Sequence, residues 1–358
     1  MITRDNMYSP DMRKWNLRFA VTPRCNFRCR YCLPSDFRDY VIEPSAKEIL
    51  EVLHAAQGIG IQRVHWTGGE PTVRSDFCEL VRGAKEVGFT QQIITTNGYR
   101  LWRIIDELIE NGLTRVIVSL DSLKPTRNEF VTRANYFHDT IKSIEKAVKK
   151  LPTLTKISVV TMKSTLPELK DFVSFAQELN AKGYSGEVAF KLNQFFPCNP
   201  AQLSVEGQTY WKEEFLEERE ILVALSEIGD LRPISRENIE GDNPSYQYYL
   251  IGNTGVKVAI LALFSWNFPC GGCWKLRISP QGIATICINQ QNPPTLWGKS
   301  VDEKTKILSD LTSYRESSRL ALDYPGRRHY RDQLGELRFG KVVSTPHSID
   351  YFKNLLED

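Results

Sequence analysis

Six of the eight cysteines in this 358-residue chain fall into two groups of three. Cysteine thiolates are ligands for zinc and for iron–sulfur clusters, and in a reducing compartment grouped cysteines are available for that role. The spacing within each group is short enough for one loop or hairpin to bring the thiolates together. We therefore expect two metal or cluster sites, with the ligand sets Cys25, Cys29 and Cys32, and Cys270, Cys273 and Cys287.

The first group has the pattern Cys-x3-Cys-x2-Cys, which suits an iron–sulfur cube better than zinc. A [4Fe–4S] cluster normally takes four cysteine ligands, so three thiolates leave one iron open to a small molecule. A zinc site usually takes four ligands in two pairs, and no histidine stands near this group to complete such a set. The pattern favours a cluster with an open iron and leaves zinc as the alternative.

The elements that must position the first group alternate between strand-like and helical segments. Because strands that alternate with helices form parallel sheets, we expect an α/β fold, a partial (β/α)6 barrel of the TIM type. Chemistry in such barrels lies at the C-terminal ends of the strands, and the first cysteine group follows the first strand. The predicted strands are residues 17–21, 63–66, 92–95, 115–120, 156–162 and 187–193, and the predicted helices are 46–57, 76–87, 102–111, 138–150 and 167–181.

The second half of the chain has a different order of predicted elements, which indicates a second domain. An acidic helical segment, 211–225, is followed by short strand-like runs and then by longer helical patterns. We expect a partial barrel over residues 1–200 and a smaller α+β domain over 201–358 that carries the second cysteine group. The predicted later elements are strands at 256–264, 275–279 and 283–288 and helices at 301–320 and 348–356.

The composition, with 41% hydrophobic and 25% charged residues, is that of a globular chain. This apolar content excludes a disordered chain, and a net charge of +3 does not suggest nucleic acid as a partner. The N-terminus lacks the apolar core of a secretory signal. The longest apolar run, residues 258–264, is much shorter than the roughly 20 residues that span a bilayer. We expect a cytoplasmic protein with no nucleic-acid or membrane partner.

A second motif, Thr67-Gly68-Gly69-Glu70-Pro71, follows the second predicted strand. Two glycines let the backbone approach a ligand closely, and Glu70 offers a carboxylate to an ammonium group. By itself the motif would be an ordinary strand-to-helix turn. Together with the first cysteine group, in which Tyr31 precedes Cys32, it resembles the radical S-adenosylmethionine (SAM) superfamily.

This resemblance implies a cofactor pair, a [4Fe–4S] cluster and SAM, and an activity. The open iron binds SAM, and one electron cleaves SAM to methionine and a 5′-deoxyadenosyl radical that abstracts a substrate hydrogen. The electron would come from a donor such as flavodoxin or ferredoxin. The resemblance also implies SAM contacts from Gly68, Gly69, Glu70, Thr95 and Ser119.

The second cysteine group, Cys-x2-Cys-x13-Cys, is similar to one branch of that superfamily, which contains the GTP 3′,8-cyclases of molybdenum-cofactor biosynthesis. The similarity extends to residues 17–22, 118–122 and 279–282. It implies a second [4Fe–4S] cluster with an open iron. A structural zinc site completed by Cys198 or a histidine is the alternative; otherwise we expect Cys78 and Cys198 to be small apolar side chains.

Basic side chains hold a triphosphate in that branch, and this chain has bases at matching positions. Arginine suits such contacts because its planar fork binds phosphate in two places. As a set, these bases suggest an anionic small-molecule substrate. The residues are Arg18, Arg63, His65, Lys163, Lys191, Lys275 and Arg277.

The chain also departs from the branch. His65 stands where the branch has Arg, Trp274 where it has a small polar residue, and Lys275 where it has Arg. The sequence ends in residues 354–358, Asn-Leu-Leu-Glu-Asp, where the cyclases have a Gly-Gly tail. These differences predict a biosynthetic paralogue that acts on a nucleotide, a nucleoside-derived acid or a similar anion. The GTP cyclase itself, a peptide-modifying enzyme and, from another class, a zinc-ribbon-like binding protein are the alternatives.

Overall fold

Six parallel strands make up the centre of the sheet. The computed structural model describes residues 11–32, 43–195, 205–235, 246–262, 273–287, 290 and 292–318. Each predicted strand of the first half is present within three residues of its expected bounds. The strands are β1 (Asn16–Ala20), β2 (Arg63–Thr67), β3 (Gln91–Thr96), β4 (Arg115–Ser119), β5 (Leu154–Thr161) and β6 (Glu187–Gln194).

Helices connect these strands and cover one face of the sheet. The first begins with a capping box, in which Ser45 accepts from the Glu48 backbone N–H and the Glu48 carboxylate accepts from the Ser45 N–H. The connection between β4 and β5 holds two helices where we expected one, because the first of them is short and has few apolar residues. The helices are α1 (Ala46–Gly58), α2 (Phe77–Val87), α3 (Leu101–Glu110), α4 (Pro125–Thr132), α5 (Phe137–Lys150) and α6 (Leu169–Ala181).

Strands from the second half extend the same sheet at both edges. Among the described residues, the order is β11-β10-β1-β2-β3-β4-β5-β6-β9-β8-β7, with β9 parallel to β6 and β10 parallel to β1. The division at residue 200 stays a prediction, although the sheet itself continues across it. The added strands are β7 (Leu231–Pro233), β8 (Gln247–Ile251), β9 (Val256–Leu261), β10 (Lys275–Ile278) and β11 (Ala284–Thr285).

The sheet curls into a partial barrel. Lys156 Nζ on β5 lies 3.1 Å from the Tyr248 hydroxyl on β8. These strands are three places apart in the sheet, which is about 14 Å in a flat sheet. Only strong curvature brings the two side chains together across the interior, and no backbone ladder closes the barrel within the described residues.

Three further α-helices lie among the described residues of the second half. The acidic segment expected as one helix forms two, α7 (Val205–Glu214) and α8 (Glu218–Ser226), because Glu217 caps a new helix start. The last described helix, α9 (Val301–Ser318), packs on α1, where buried Lys304 forms an ion pair with Glu51 at 2.5 Å. The helix predicted at 348–356 lies outside the described residues. In the part of the chain that the structure covers, no helix is both long and apolar enough to cross a bilayer.

Alternation along the strands separates an apolar layer from a polar interior. On β1, Leu17 and Phe19 are fully buried in the apolar core that packs under the helices. The intervening residue, Arg18, points to the other face, since successive side chains of a strand alternate. The concave face of the sheet is therefore free to carry polar groups.

Candidate active site

The loop after β1 carries the first cysteine group at the C-terminal end of the sheet. All three thiols are half-buried and reduced. The backbone N–H groups of Arg28 and Arg30 donate to carbonyls at the end of α4, at 3.1 and 2.9 Å. The unexpected helix α4 therefore holds the cysteine loop against the barrel.

The three thiols fit the ligand set of a cube. No three His, Cys, Asp or Glu side chains in the described ranges converge on one point that could hold a single ion, and a cube needs no such convergence because each thiolate binds a different iron. Burial, with Cys32, Asp121 and Cys25 nearby, raises the pKa of Cys29 well above its ordinary value, and metal ligation removes such a proton. Beside Cys25, the Asn26 side-chain amide N–H group is buried without an acceptor.

The glycines of the second motif are required by packing. A Cβ on Gly68 would lie 2.4 Å from the Thr22 carbonyl oxygen, and a Cβ on Gly69 would lie 2.2 Å from that of Arg24. In their place, the Gly69 N–H donates to Thr22 O at 2.7 Å and the Glu70 N–H to Arg24 O at 2.8 Å. The end of β2 is thus bonded directly to the cysteine loop, and no larger residue fits there.

Glu70 joins the ends of β2 and β3. The side chain is 1% exposed. One carboxylate oxygen accepts from the Thr72 N–H and from the hydroxyls of Thr72 and Thr96, and the other accepts from the Asn97 N–H at 2.6 Å. Contact with SAM stays a prediction for this residue, and its bonding within the protein is already extensive.

Two residues that sequence reasoning missed contact the cysteine loop. The Asn97 side-chain amide donates to Asn26 Oδ1 at 2.8 Å and lies 4.0 Å from Cys25 Sγ. The Tyr31 hydroxyl donates to Asp121 at 2.5 Å, and burial raises the pKa of Asp121 to about 6. Asn97 and Asp121 each stand just after a predicted strand, which is the signal that could have identified them.

Thr95 and Ser119, the expected SAM contacts, lie near the C-terminal ends of β3 and β4. Thr95 Oγ1 is 2.7 Å from His65 Nε2, so this hydroxyl faces the barrel interior. Ser119 is half-buried and pairs in register with Ser158 of β5. Their contact with SAM remains a prediction.

Below this end, the interior of the barrel is a cavity lined with basic side chains. Its volume is about 790 Å³ including its open side. Arg18, Arg63, Arg115, Lys156 and Lys275 lie in the first half or at the middle of their strands, and Lys191 lies just past the middle of β6. The bases therefore lie inside the barrel, below the mouth where the cysteine loop is. Among the described residues, the cavity wall has seven Lys and Arg side chains and no carboxylate: Lys14, Arg18, Arg63, Arg115, Lys156, Lys191 and Lys275.

Most of the bases expected from the sequence are brought together here. Arg18, Arg63, His65, Lys191 and Lys275 line the cavity. Arg277 pairs in register with Arg18, and one of its guanidinium nitrogens is buried without an acceptor.

Lys163 lies elsewhere. It is exposed and begins a 3-10 helix beyond the end of β5, and it is not part of the cavity wall. Lys156, on the same strand, reaches the interior instead. The sequence carried a signal for this, since Lys156 and Ser158 are polar at alternate positions of an otherwise apolar strand. Lys14, Arg115, Tyr246 and Tyr248 were also missed.

The crowded bases depress one another's protonation. Burial, with Arg18, Lys191, Lys275 and Lys156 nearby, lowers the pKa of His65 well below its ordinary value, so the imidazole is neutral at pH 7. Burial and neighbouring bases likewise lower the pKa of Lys191 strongly, and burial lowers that of Lys275 to about 7. An anion in this cavity would favour the charged form of each of these groups.

Cys273 of the second cysteine group lies at the opposite end of the barrel from the first group. Cys273 precedes β10, which is parallel to β1, whereas the first group follows β1. The register of β10 with β11 pairs Arg277 with Thr285, and Cys287 follows two residues after Thr285. The two ends of the barrel are therefore separated by roughly the length of a five-residue strand such as β1, which is about 16 Å. Cys270 and Cys198 lie outside the described residues.

Comparison with known proteins places these features in context. The family model of the radical SAM superfamily matches residues 19–176. A GTP 3′,8-cyclase of Listeria monocytogenes is 31% identical over 278 residues, which are 76% of this chain and 78% of the relative. A GTP 3′,8-cyclase of Synechococcus elongatus is 29% identical over 302 residues, covering 82% of this chain and 87% of the relative.

Solved structures share the fold at lower identity. Streptococcus suis SuiB, bound to the precursor peptide SuiA, superposes with a TM-score of 0.56 at 16% identity, over 85% of this chain and 66% of SuiB. Native anSMEcpe, with bound AdoMet and a Cp18Cys peptide, gives a TM-score of 0.54 at 15% identity, over 96% of this chain and 95% of the other. At these identities the likeness describes architecture alone.

Proposed function

The chain belongs to the radical SAM superfamily, in the branch that includes the GTP 3′,8-cyclases, and from this membership we propose that it takes a hydrogen atom from an anionic small molecule. The substrate is a nucleotide, a nucleoside-derived acid or a similar anion, and the chain is a biosynthetic paralogue of the cyclases. The observation that carries this proposal is the cavity with seven Lys and Arg side chains and no carboxylate in its described wall.

The cofactors are a [4Fe–4S] cluster and SAM. Together they supply one electron and the 5′-deoxyadenosyl radical that this electron releases from SAM. Cys25, Cys29 and Cys32 would hold the cluster, and the buried Asn26 amide donor beside Cys25 suits an acceptor there. A reductant such as flavodoxin or ferredoxin would deliver the electron. The proposed SAM contacts are Gly68, Gly69, Glu70, Thr95 and Ser119.

The residues of the barrel interior would bind and shield the substrate. Arg18, Lys156 and Lys191 come from three different strands, so an anionic group among them is contacted from several sides. Lys156 and Lys191 are 9% and 8% exposed, so ion pairs formed here are screened little by water. Exclusion of water also protects a substrate radical from side reactions.

A second [4Fe–4S] cluster on Cys270, Cys273 and Cys287 would stand at the far end of this cavity. Supporting it, Trp274 and Lys275 follow Cys273 directly and line the cavity. The pairing of β10 with β11 adds to this support, because Cys273 precedes the first of these strands and Cys287 follows the second. Zinc at these cysteines is the competing assignment, and metal analysis separates the two.

GTP 3′,8-cyclase activity itself is the second candidate, favoured by the relatives of that name at about 30% identity. His65 favours the paralogue, because a buried neutral imidazole stands where the cyclases have arginine. A neutral group in that place binds phosphate less strongly than a guanidinium does.

The test is SAM cleavage by anaerobically reconstituted protein, with GTP, other nucleotides and nucleoside-derived acids offered separately. We expect about eight irons per chain, four per cube, and 5′-deoxyadenosine formation stimulated by one anionic metabolite but only slightly by GTP. Strong stimulation by GTP would instead assign the cyclase activity. Protein that contains zinc and no iron, or SAM cleavage that no anion stimulates, would contradict the proposal.

A further inference from the structure

Two tyrosines of the β8 region lie over the lysines of the basic cavity. The Tyr246 ring centroid is 5.3 Å from Lys191 Nζ and 5.7 Å from Lys275 Nζ. The Tyr248 ring centroid is 5.1 Å from Lys156 Nζ, whose ammonium group also lies 3.1 Å from the Tyr248 hydroxyl. Both tyrosines are 4% exposed, so these contacts are made away from bulk water.

The sheet register explains how the rings reach the lysines. Tyr248 pairs with Ala259 of β9, and Ala259 pairs with Lys191 of β6. The small Ala259 side chain, itself part of the cavity wall, leaves room for the two rings to lean toward the interior. Tyr246, Tyr248 and Ala259 form an apolar cluster of their own, separate from the main core.

The charge balance gives the tyrosines a specific task. A buried ammonium group normally pairs with a carboxylate, but a carboxylate here would neutralise the cavity and repel an anion. An aromatic face attracts an ammonium group without adding negative charge. Lysines held in this way stay in place while the cavity keeps its attraction for an anion, and a bound anion in turn favours their charged form.

We infer that Tyr246 and Tyr248 are positioning residues that set the specificity of the cavity for polyanions, by holding Lys156, Lys191 and Lys275 through their rings, which add no negative charge. This deepens the proposed function and rests on it for the identity of the substrate, though not for anion binding itself. The three ammonium groups suit a ligand with several negative charges, since a single small anion reaches fewer of them.

The experiment measures binding of inorganic tripolyphosphate to the reconstituted enzyme by titration calorimetry. Replacing the ring removes the attraction, so Y246L should weaken binding about tenfold, whereas Y246F, which keeps the ring, should stay within twofold of wild type. Y248F keeps the ring but loses the hydroxyl that lies 3.1 Å from Lys156 Nζ, so we expect tripolyphosphate binding to weaken about threefold. Sulfate binding should weaken less than tripolyphosphate binding in Y246L, because sulfate engages fewer lysines.

Tyr249 provides the matched control. It stands on the same strand but on the opposite face, where its hydroxyl bonds to Gln247, and Y249L should leave tripolyphosphate binding within twofold. Equal losses in Y246L and Y249L, or a Y246F as weak as Y246L, would overturn the inference. If Y246L does not fold, Y248F and Y246F still decide, since unchanged binding in Y248F contradicts the role given to its hydroxyl.

Failure of this inference can be distinguished from failure of the proposed function. Wild-type protein that binds tripolyphosphate through these tyrosines but shows no anion-stimulated SAM cleavage would refute the proposed function and leave this inference standing. Anion-stimulated cleavage that is indifferent to both tyrosines would do the reverse.

Discussion

The carboxylate of Glu70 accepts a hydrogen bond from the backbone N–H of Asn97 at 2.6 Å, which locks the end of β2 to the end of β3. The same side chain accepts three further bonds from Thr72 and Thr96. A residue expected to act on a ligand therefore also serves as the junction of two strands and the cysteine loop.

The first prediction concerns this junction. E70Q replaces an acceptor by an amide whose N–H2 group must face N–H and O–H donors. We expect a loss of about 1–3 kcal/mol in the free energy of unfolding, measured by urea denaturation. The matched change E86Q, at a side chain 70% exposed, should stay within about 0.5 kcal/mol of wild type. Equal stability of both variants would show that the junction contributes little.

The second prediction separates two lysines at the two ends of β5. K156A removes a buried charge from the cavity wall and should lower substrate-stimulated SAM cleavage at least tenfold, mainly through KM, because an ion pair to the substrate is lost. K163A, at an exposed lysine outside the wall, should stay within twofold of wild type. Steady-state assays of 5′-deoxyadenosine formation decide. A larger effect from K163A would mean that the substrate lies at the mouth instead.

The third prediction concerns the contact between the end of β2 and the cysteine loop. G69A places a Cβ 2.2 Å from the Arg24 carbonyl oxygen, a distance that forces one of the two segments to move. We expect a lower melting temperature and a loss of most of the iron held by the first cysteine group. G58A, where a Cβ would lie 3.9 Å from Thr305, should be neutral or slightly stabilising because alanine favours a helix. Full iron content in G69A would show that the contact is dispensable.

The fourth prediction is a pH dependence of stability that arises at His65. Its pKa is well below the ordinary value in the folded protein and returns to about 6.5 on unfolding, so the unfolded chain binds the extra proton first. This group therefore contributes stability above pH 6.5, and that contribution falls by up to about 1.4 kcal/mol per pH unit below it.

Urea unfolding at pH 7 and pH 5 measures this effect. The free energy of unfolding of H65Q should fall less between the two pH values than that of wild type, by up to about 2 kcal/mol. H138Q, at an exposed histidine, should keep the wild-type pH dependence. Parallel curves for wild type and H65Q would contradict the burial argument.

The first-half elements were predictable because their information is local. Strands such as β2 and β3 are short apolar runs between helical patterns, and each was expected within a residue or two. Helix α4 was not expected, since its eight residues carry little apolar periodicity and its stability comes from contacts with the cysteine loop. Similarly, the break between α7 and α8 depends on a cap at Glu217 that periodicity does not register.

The basic character of the site was predictable from the sequence, but the identity of all the residues that line the cavity was not. Matching bases to a family pattern identified Arg18 and Lys191 but chose Lys163 instead of Lys156, because the match did not use the alternation along β5 that turns Lys156 inward. Tyr246 and Tyr248 come from a strand that joins the sheet through β9, far from the motifs in sequence. Their meeting with the lysines depends on sheet curvature, a property of the whole fold.

The position of the bases within the barrel also sets the distance between the anionic group of the substrate and the carbon that reacts. The cysteine loop follows the C-terminal end of β1, and Arg18 of the cavity lies at the middle of that strand. Half of a five-residue strand is about 8 Å. A substrate held by its anionic group would thus place a carbon atom roughly 8 Å from that group next to the radical. Analogues of the substrate with a shorter link between the anionic group and this carbon should bind well but react poorly.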